Sequence, residues 1–197
     1  MRKGFSLIEM LVVIGILAVL TGIGVNAFSN ASKKAQQARA RAIVADVASA
    51  LGAILQRDGT FPRRMLAAGE RDTVMDEKMA YELARKNVMS LAYDDGKKET
   101  VGADRFGVLT PWGEDVVRRN GNATAGTSVP SGGTVADHRV HFAIDVDGDG
   151  FVDLSGVKIR AAAVAWCCGR DGSKTYGYPE GIRHGWSYSW TNEQLKD

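Results

Sequence analysis

A surplus of charge of either sign is missing from this chain. Over 197 residues the formal net charge is +2, too little to demand a nucleic-acid or other polyanionic partner. Loss of Arg2 and Lys3 alone would bring the side-chain charge to zero. Cysteine is nearly absent: there are two, Cys167 and Cys168, and they are adjacent. With no distant partner they exclude an intrachain disulfide that closes a long loop, and adjacency is the wrong spacing for a zinc site. Histidine is scarce too, at three residues, His138, His141 and His184. A cysteine nucleophile with one of these as its base is the one catalytic pairing available. No local motif joins them, and His138 and His141 would face opposite sides of a strand, so the chain is not expected to be an enzyme. Proline is limited to four residues beside 23 glycines, and the composition is otherwise that of a folded protein.

What is present begins at residue 5. Met1–Gly4 is short and basic, and Phe5–Phe28 is almost wholly apolar, with no polar side chain between Met10 and Leu20. As a helix, Phe5–Phe28 would run roughly 36 Å at ~1.5 Å per residue, enough to cross a hydrocarbon core of ~30 Å. An ordinary secretory signal peptide shares this composition, and Val25-Asn26-Ala27 would serve as its cleavage site. Glu9 separates the two. A carboxylate in an apolar segment costs roughly 2.5–3.5 kcal/mol at the centre of a membrane helix, less near an end, and a discarded export signal has no use for it. Cleavage before Phe5 would create a positive α-amine at the membrane boundary. In a stack of identical helices, Glu9 of one subunit could neutralise the Phe5 amine of the next.

The stretch Lys3-Gly4-Phe5-Ser6-Leu7-Ile8-Glu9-Met10-Leu11 resembles the class III leader of type IV pilins and type II secretion pseudopilins. The resemblance implies a prepilin peptidase that cuts after Gly4 and methylates Phe5, with Glu9 as the family's assembly glutamate. It also implies an inner-membrane protein whose N-terminus is cytoplasmic and whose head is periplasmic before it joins a filament. The basic residues count the other way: Lys33, Lys34, Arg39 and Arg41 follow the span, against Arg2 and Lys3 before it. Partners implied are copies of the same chain, other pilin-like subunits, the peptidase and the inner membrane, with no nucleic acid.

After the span, 29–57 continues as an amphipathic helix. Ala31, Ala35, Ala38 and Ala42 recur at helical intervals, and Val47, Leu51, Ile54 and Leu55 extend the stripe. Asp58-Gly59 and Phe61-Pro62 end it. The phrase Asp58-Gly59-Thr60-Phe61-Pro62 is similar to the turn after the spine of major pseudopilins. Thr73 and Asp76 stand at capping-box spacing before Met75, Met79, Leu83, Val88 and Leu91, which predicts a second helix. The methionines at 65, 75, 79 and 89 are core-packing residues rather than a cofactor box. Leu109-Thr110-Pro111-Trp112-Gly113 is similar to a Pro-Trp-Gly turn of the same family, and 119–133 reads as an exposed loop. Strands are predicted over His138–Ile144, with Val140, Phe142 and Ile144 on one face, over Val157–Trp166, and over Trp186–Trp190. The fold class is therefore α+β: a long N-terminal helix, membrane-spanning in its first half, packed on a head with an antiparallel sheet. The segments are a leader (1–4), an assembly helix (5–28), its amphipathic continuation (29–57) and a head (58–197).

Between two of those strands lies the run of Asp145, Asp147, Asp149 and Asp153, with oxygen donors at positions 1, 3, 5 and 9 of a calcium loop and Gly150 at position 6. Position 12 is Gly156 where a bidentate acid belongs, which argues against a helix-flanked EF-hand. Pseudopilin heads hold calcium near a Ser-Trp end, and Gly169-Arg170-Asp171-Gly172 with Ser189-Trp190 is similar to that region. The acids that precede Ser-Trp in the family are replaced here by His184-Gly185-Trp186-Ser187-Tyr188. Calcium would then rely on Asp145, Asp147, Asp149 and Asp153, with Asp171 completing the shell. A plain Asp-Gly turn is the competing account. For the cysteines, export to an oxidising compartment leaves a vicinal disulfide or two buried thiols open. The expected function is a structural subunit of a type II secretion pseudopilus or a type IV pilus-like filament. The alternative is an exported calcium-binding domain or enzyme behind an ordinary signal peptide.

Overall fold

A long helix, α1, runs over Leu7–Asp58 of the computed structural model, which describes residues 7–69, 72–86, 88, 93–94, 99–100, 106–154, 156–170, 172 and 187–196. The chain divides into two units, Met1–Gln36 and Gln37–Asp197. In the first, the large apolar side chains from Leu7 to Leu20 are exposed all round the helix. Such a helix has no apolar stripe to turn inward, so nothing in its own unit buries it. Among the described residues no helix is long and apolar enough to cross a membrane. The predicted span over 5–28 includes residues 5 and 6 and the side chains of 22–27, which lie outside the described set.

In the second unit, the head, α1 buries Ala40, Val44, Val47, Leu51 and Ile54, successive positions three or four apart on one face. This corrects the predicted stripe. Ala38 and Ala42 are exposed, each about 200° around the helix from Ala40. Alanine fits either face, so the larger aliphatics set the register. The helix stops where Gly59 takes φ 70° and donates its N–H to the Leu55 carbonyl at 2.9 Å. Arg57 and Lys86 both pair with Asp58, and the hydrogen bonds from these two cations hold that carboxyl well below the usual range. Since the folded pKa is lowered, this small surface contribution is present above the unfolded carboxylate range and is lost as pH falls.

Among the described residues three short helices follow: α2 (Arg63–Ala68), α3 (Glu77–Arg85) and α4 (Pro111–Arg119). The predicted cap of the second helix shifts by three residues. Asp76, not Thr73, is the N-cap of α3, and its carboxylate accepts the Met79 N–H at 2.9 Å. Thr73 and Val74 instead form strand β1. The predicted Pro-Trp-Gly turn is the first turn of α4, with Pro111 at a position where a helix needs no N–H. Arg39 reaches from α1 to Glu114 of α4 at 2.6 Å.

The strands are β1 (Thr73–Val74), β2 (Tyr93–Asp94), β3 (Glu99–Thr100), β4 (His141–Ile144), β5 (Val152–Leu154), β6 (Val157–Ile159), β7 (Ala163–Cys167), β8 (Ser187–Tyr188) and β9 (Leu195–Lys196). Among the described residues they pair antiparallel in three sheets: β1-β4-β7-β8, β5-β6-β9 and the hairpin β2-β3. The four-stranded sheet separates two cores. Phe142, Ile144, Ala165 and Cys167 point to the core that α1 covers. Ala143, Val164 and Trp166 point the other way, to Val152, Leu154 and Ile159 of the three-stranded sheet and to Trp190. Both faces of β4 and β7 are thus buried, which single-face alternation did not predict.

Two further strand expectations change. Val157–Trp166 is not one strand but β6 and β7, in different sheets, joined through Arg160, Ala161 and Ala162. There Arg160 N–H donates to Gln194 O at 2.8 Å and Asp145 N–H to Ala162 O at 2.9 Å. Small side chains let the backbone cross between layers. His138 lies in a 3-10 turn, Val135–His138, rather than a strand, because Thr134 and Asp137 cap that turn reciprocally. Trp186, the first residue of the third predicted strand, lies outside the described residues, as do Met89 and Leu91.

Candidate functional site

The N-terminal candidates start from the helix. Gly4 and Phe5 lie outside the described residues. Glu9 is the acid in the first turn of α1, exposed among Leu7, Ile8, Met10 and Leu11. A carboxylate there complements the positive end of the helix dipole. The apolar side chains around it have no polar company up to Thr21, whose hydroxyl donates to Leu17 O at 2.7 Å and so adds no outward polarity.

The acidic loop is built by its own turns. Asp145 follows β4, and its two carboxylate oxygens accept the N–H groups of Gly148 at 2.7 Å and Gly150 at 2.8 Å. Asp147 Oδ1 accepts Asp149 N–H at 3.1 Å, and Asp149 Oδ1 accepts Phe151 N–H at 2.8 Å. Gly148 and Gly150 take φ 78° and 87°, conformations that glycine reaches without strain. The result brings one oxygen each of Asp145, Asp147 and Asp149 within 4.8 Å of one another. Asp153 is not in that group. It sits in β5, and its Oδ1 accepts Gly156 N–H at 2.8 Å across the β5–β6 turn. Asp171 lies outside the described residues.

Sequence inspection missed Lys158. Its ammonium is 3.6 Å from Asp149 Oδ2 and offsets part of the acidic charge. Pairing of Asp153 with Lys158 in the hairpin brings that cation to the loop, and the pairing is visible only once the turn is located. The three clustered acids offer hard oxygen donors of the kind calcium prefers, and an oxygen that accepts one N–H keeps a second lone pair.

The thiols and histidines also find definite places. Cys168 Sγ lies 3.7 Å from His138 Nδ1, the contact that adjacency in sequence could not show. His138 Nδ1 is also 3.0 Å from Thr110 Oγ1, its Nε2 is 2.9 Å from Gly132 O, and Cys168 donates to Asp137 O at 3.1 Å. All of this is sealed: Thr110 and His138 are fully buried and Cys168 nearly so. A nucleophile and base without access to solvent do not form a reactive site. Neither cysteine is disulfide-bonded in the structure, and both are buried. Burial pushes the Cys167 thiol up to about 12, against a smaller opposing effect of Ser187. His141 Nδ1 meets Asp72 Oδ1 at 2.5 Å and stacks on Trp166. His184 lies outside the described residues.

Residues 1–25 match the family model described as the prokaryotic N-terminal methylation motif. No solved structure matches the chain.

Proposed function

We propose that this chain, a type IV pilin-like protein by the class III leader it carries, is a structural subunit of a type II secretion pseudopilus or a type IV pilus-like filament. The observation that carries the proposal is the methylation motif running directly into a helix whose apolar side chains are exposed all round, with Glu9 in its first turn. Apolar surface of that extent is stable only in lipid or against other apolar helices. In this proposal a prepilin peptidase cuts after Gly4 and methylates Phe5. The segment 5–28 holds the subunit in the inner membrane, N-terminus cytoplasmic and head periplasmic, until it packs among copies of itself and other pilin-like subunits. Pseudopilus is favoured over pilus by the Asp58–Pro62 and Pro111–Gly113 phrases of the head. Intact-mass measurement of the mature protein tests processing: a chain that begins at Phe5 with one added methyl group is expected. A chain that begins at Phe28 would establish ordinary secretion and remove the filament proposal.

The acidic loop belongs to the same proposal as a calcium site held by Asp145, Asp147 and Asp149, with Asp153 or Asp171 recruited on binding. The donor set fits a hard cation, and the ion would neutralise clustered carboxylates and stiffen the turn between β4 and β5. Lys158 already supplies part of that charge and would have to yield to the ion. The affinity expected is therefore weak, ~10⁻⁴–10⁻³ M as in extracellular modules. Calorimetry on the full chain in detergent should show heat of calcium binding, and the melting temperature should rise in millimolar calcium relative to chelator. Absence of both would make the loop a plain turn.

A further inference from the structure

The two adjacent cysteines, one at the end of β7 and one just past it, have different partners. Cys167 closes β7, paired with Ser187 of β8, and its side chain is fully buried in the core beneath α1. Cys168, just past the strand, reaches Asp137 O at 3.1 Å and the buried imidazole of His138. Neighbouring Cα atoms sit ~3.8 Å apart, below the usual 4.4–6.8 Å of a disulfide, so a bridge between them requires the backbone to move. A bridge here would take Cys167 out of its core and off its partner in β8. Because β7 is an inner strand, between β4 and β8, the damage would fall in the middle of the sheet.

We propose that this pair is a redox gate on folding: the head folds only as the dithiol, and a disulfide between Cys167 and Cys168 traps the chain unfolded. The chemistry is ordinary thiol–disulfide exchange with a disulfide oxidant, small-molecule or protein. The thiolate of one cysteine attacks the oxidant, forming a mixed disulfide and releasing one oxidant thiol. The second cysteine then attacks the mixed disulfide, closing the Cys167–Cys168 bond and releasing the second thiol. The pair loses two electrons and two protons, and the oxidant is reduced to two thiols. The folded head resists this reaction, since both thiols are buried and burial disfavours the reactive thiolate of Cys167. The unfolded chain exposes both. A reaction open to the unfolded state and closed to the folded one drains the equilibrium toward unfolding. The gate stands on the head alone and holds whichever way the N-terminus is processed.

The test uses the full chain in detergent, taken through a guanidinium series with either reduced glutathione or glutathione disulfide. Near-ultraviolet circular dichroism reports the packed tryptophans, and mass spectrometry reports loss of two hydrogens. Expected is a lower apparent unfolding midpoint in glutathione disulfide, with every chain that has lost two hydrogens lacking the native signal. Untreated native chain should keep its mass in the same oxidant without guanidinium. Equal midpoints in the two buffers would overturn the gate. So would a native spectrum from the species that has lost two hydrogens, or failure of the unfolded chain to form it.

Discussion

Gly107→Ala should destabilise the head by about 2–5 kcal/mol, the sum of two independent penalties. Gly107 has φ 93°, where an L side chain is strained by roughly 1–2 kcal/mol. A Cβ built there would also lie 2.0 Å from Met75 O, 2.6 Å from Asp76 C and 2.7 Å from Asp76 Cα. All three are backbone atoms, so no rotamer change relieves the clash. Relief requires moving the 75–76 peptide, and that peptide is fixed on every side. Met75 N–H donates to Val140 O at 2.7 Å, Met75 O accepts Val108 N–H at 3.1 Å, and Asp76 caps α3. Moving it therefore loosens β1, α3 and the strand-like segment at Val108 together. Overpacking of this kind adds typically 1–3 kcal/mol. Denaturant titration of the variant checks the value. Gly52→Ala is the opposite case: Gly52 lies inside α1 with nothing within 4 Å of a built Cβ. That change should stabilise by about 0.5–1 kcal/mol. Equal midpoints for the two variants would mean that the close approach at Gly107 is absent.

The sequence spoke clearly where side chains differ in size or polarity and poorly where they do not. Val47, Leu51 and Ile54 announced the buried face of α1, and the structure keeps all three in the core. The alanines before them carried no such information, since a methyl group is tolerated in water or in a core. Alternation of Val140, Phe142 and Ile144 located one face of β4 correctly. Ala143 between them is also buried, and only the presence of a second sheet above it makes that face a core. The stretch from Val157 to Trp166 hid a change of sheet for the same reason: Ala161, Ala162 and Ala163 suit a strand or a crossing. Thr73 and Asp76 are both good caps, and the pairing of Thr73 with Phe142 is what leaves the helix to Asp76. In the acidic loop, close spacing made Asp145, Asp147 and Asp149 legible. The cation beside them and the placement of Asp153 depend on hairpin register, a long-range quantity. The contact between His138 and Cys168 is more remote still, since a capped 3-10 turn and the end of β7 must both be in place before it exists.

Glu9→Leu is expected to abolish filament assembly while leaving the leader cleaved and the head folded. Glu9 is the first-turn acid of α1, in the unit that ends at Gln36, whereas the core of the head begins in α1 at Ala40. Removing the carboxylate therefore withdraws nothing from that core, and leucine is at least as compatible with a membrane as glutamate. Assembly is different under the proposed mechanism. Each packed helix brings a Phe5 α-amine, positive at neutral pH, into a bundle of apolar side chains. A buried charge whose partner has been removed costs about 3–5 kcal/mol. At 1.4 kcal/mol per tenfold, even 3 kcal/mol weakens each addition by more than a hundredfold, and a filament repeats that loss at every subunit. Glu9→Asp restores the charge on a shorter arm and should recover part of the yield. Glu9→Gln keeps the shape without the charge and should behave as the leucine variant does. Sheared-filament yield, measured beside intact mass and head circular dichroism, separates assembly from processing and folding. Normal filament yield from Glu9→Leu would show that the carboxylate is not the partner of the amine. Cleaved, folded protein that stays in the membrane fraction would show that it is.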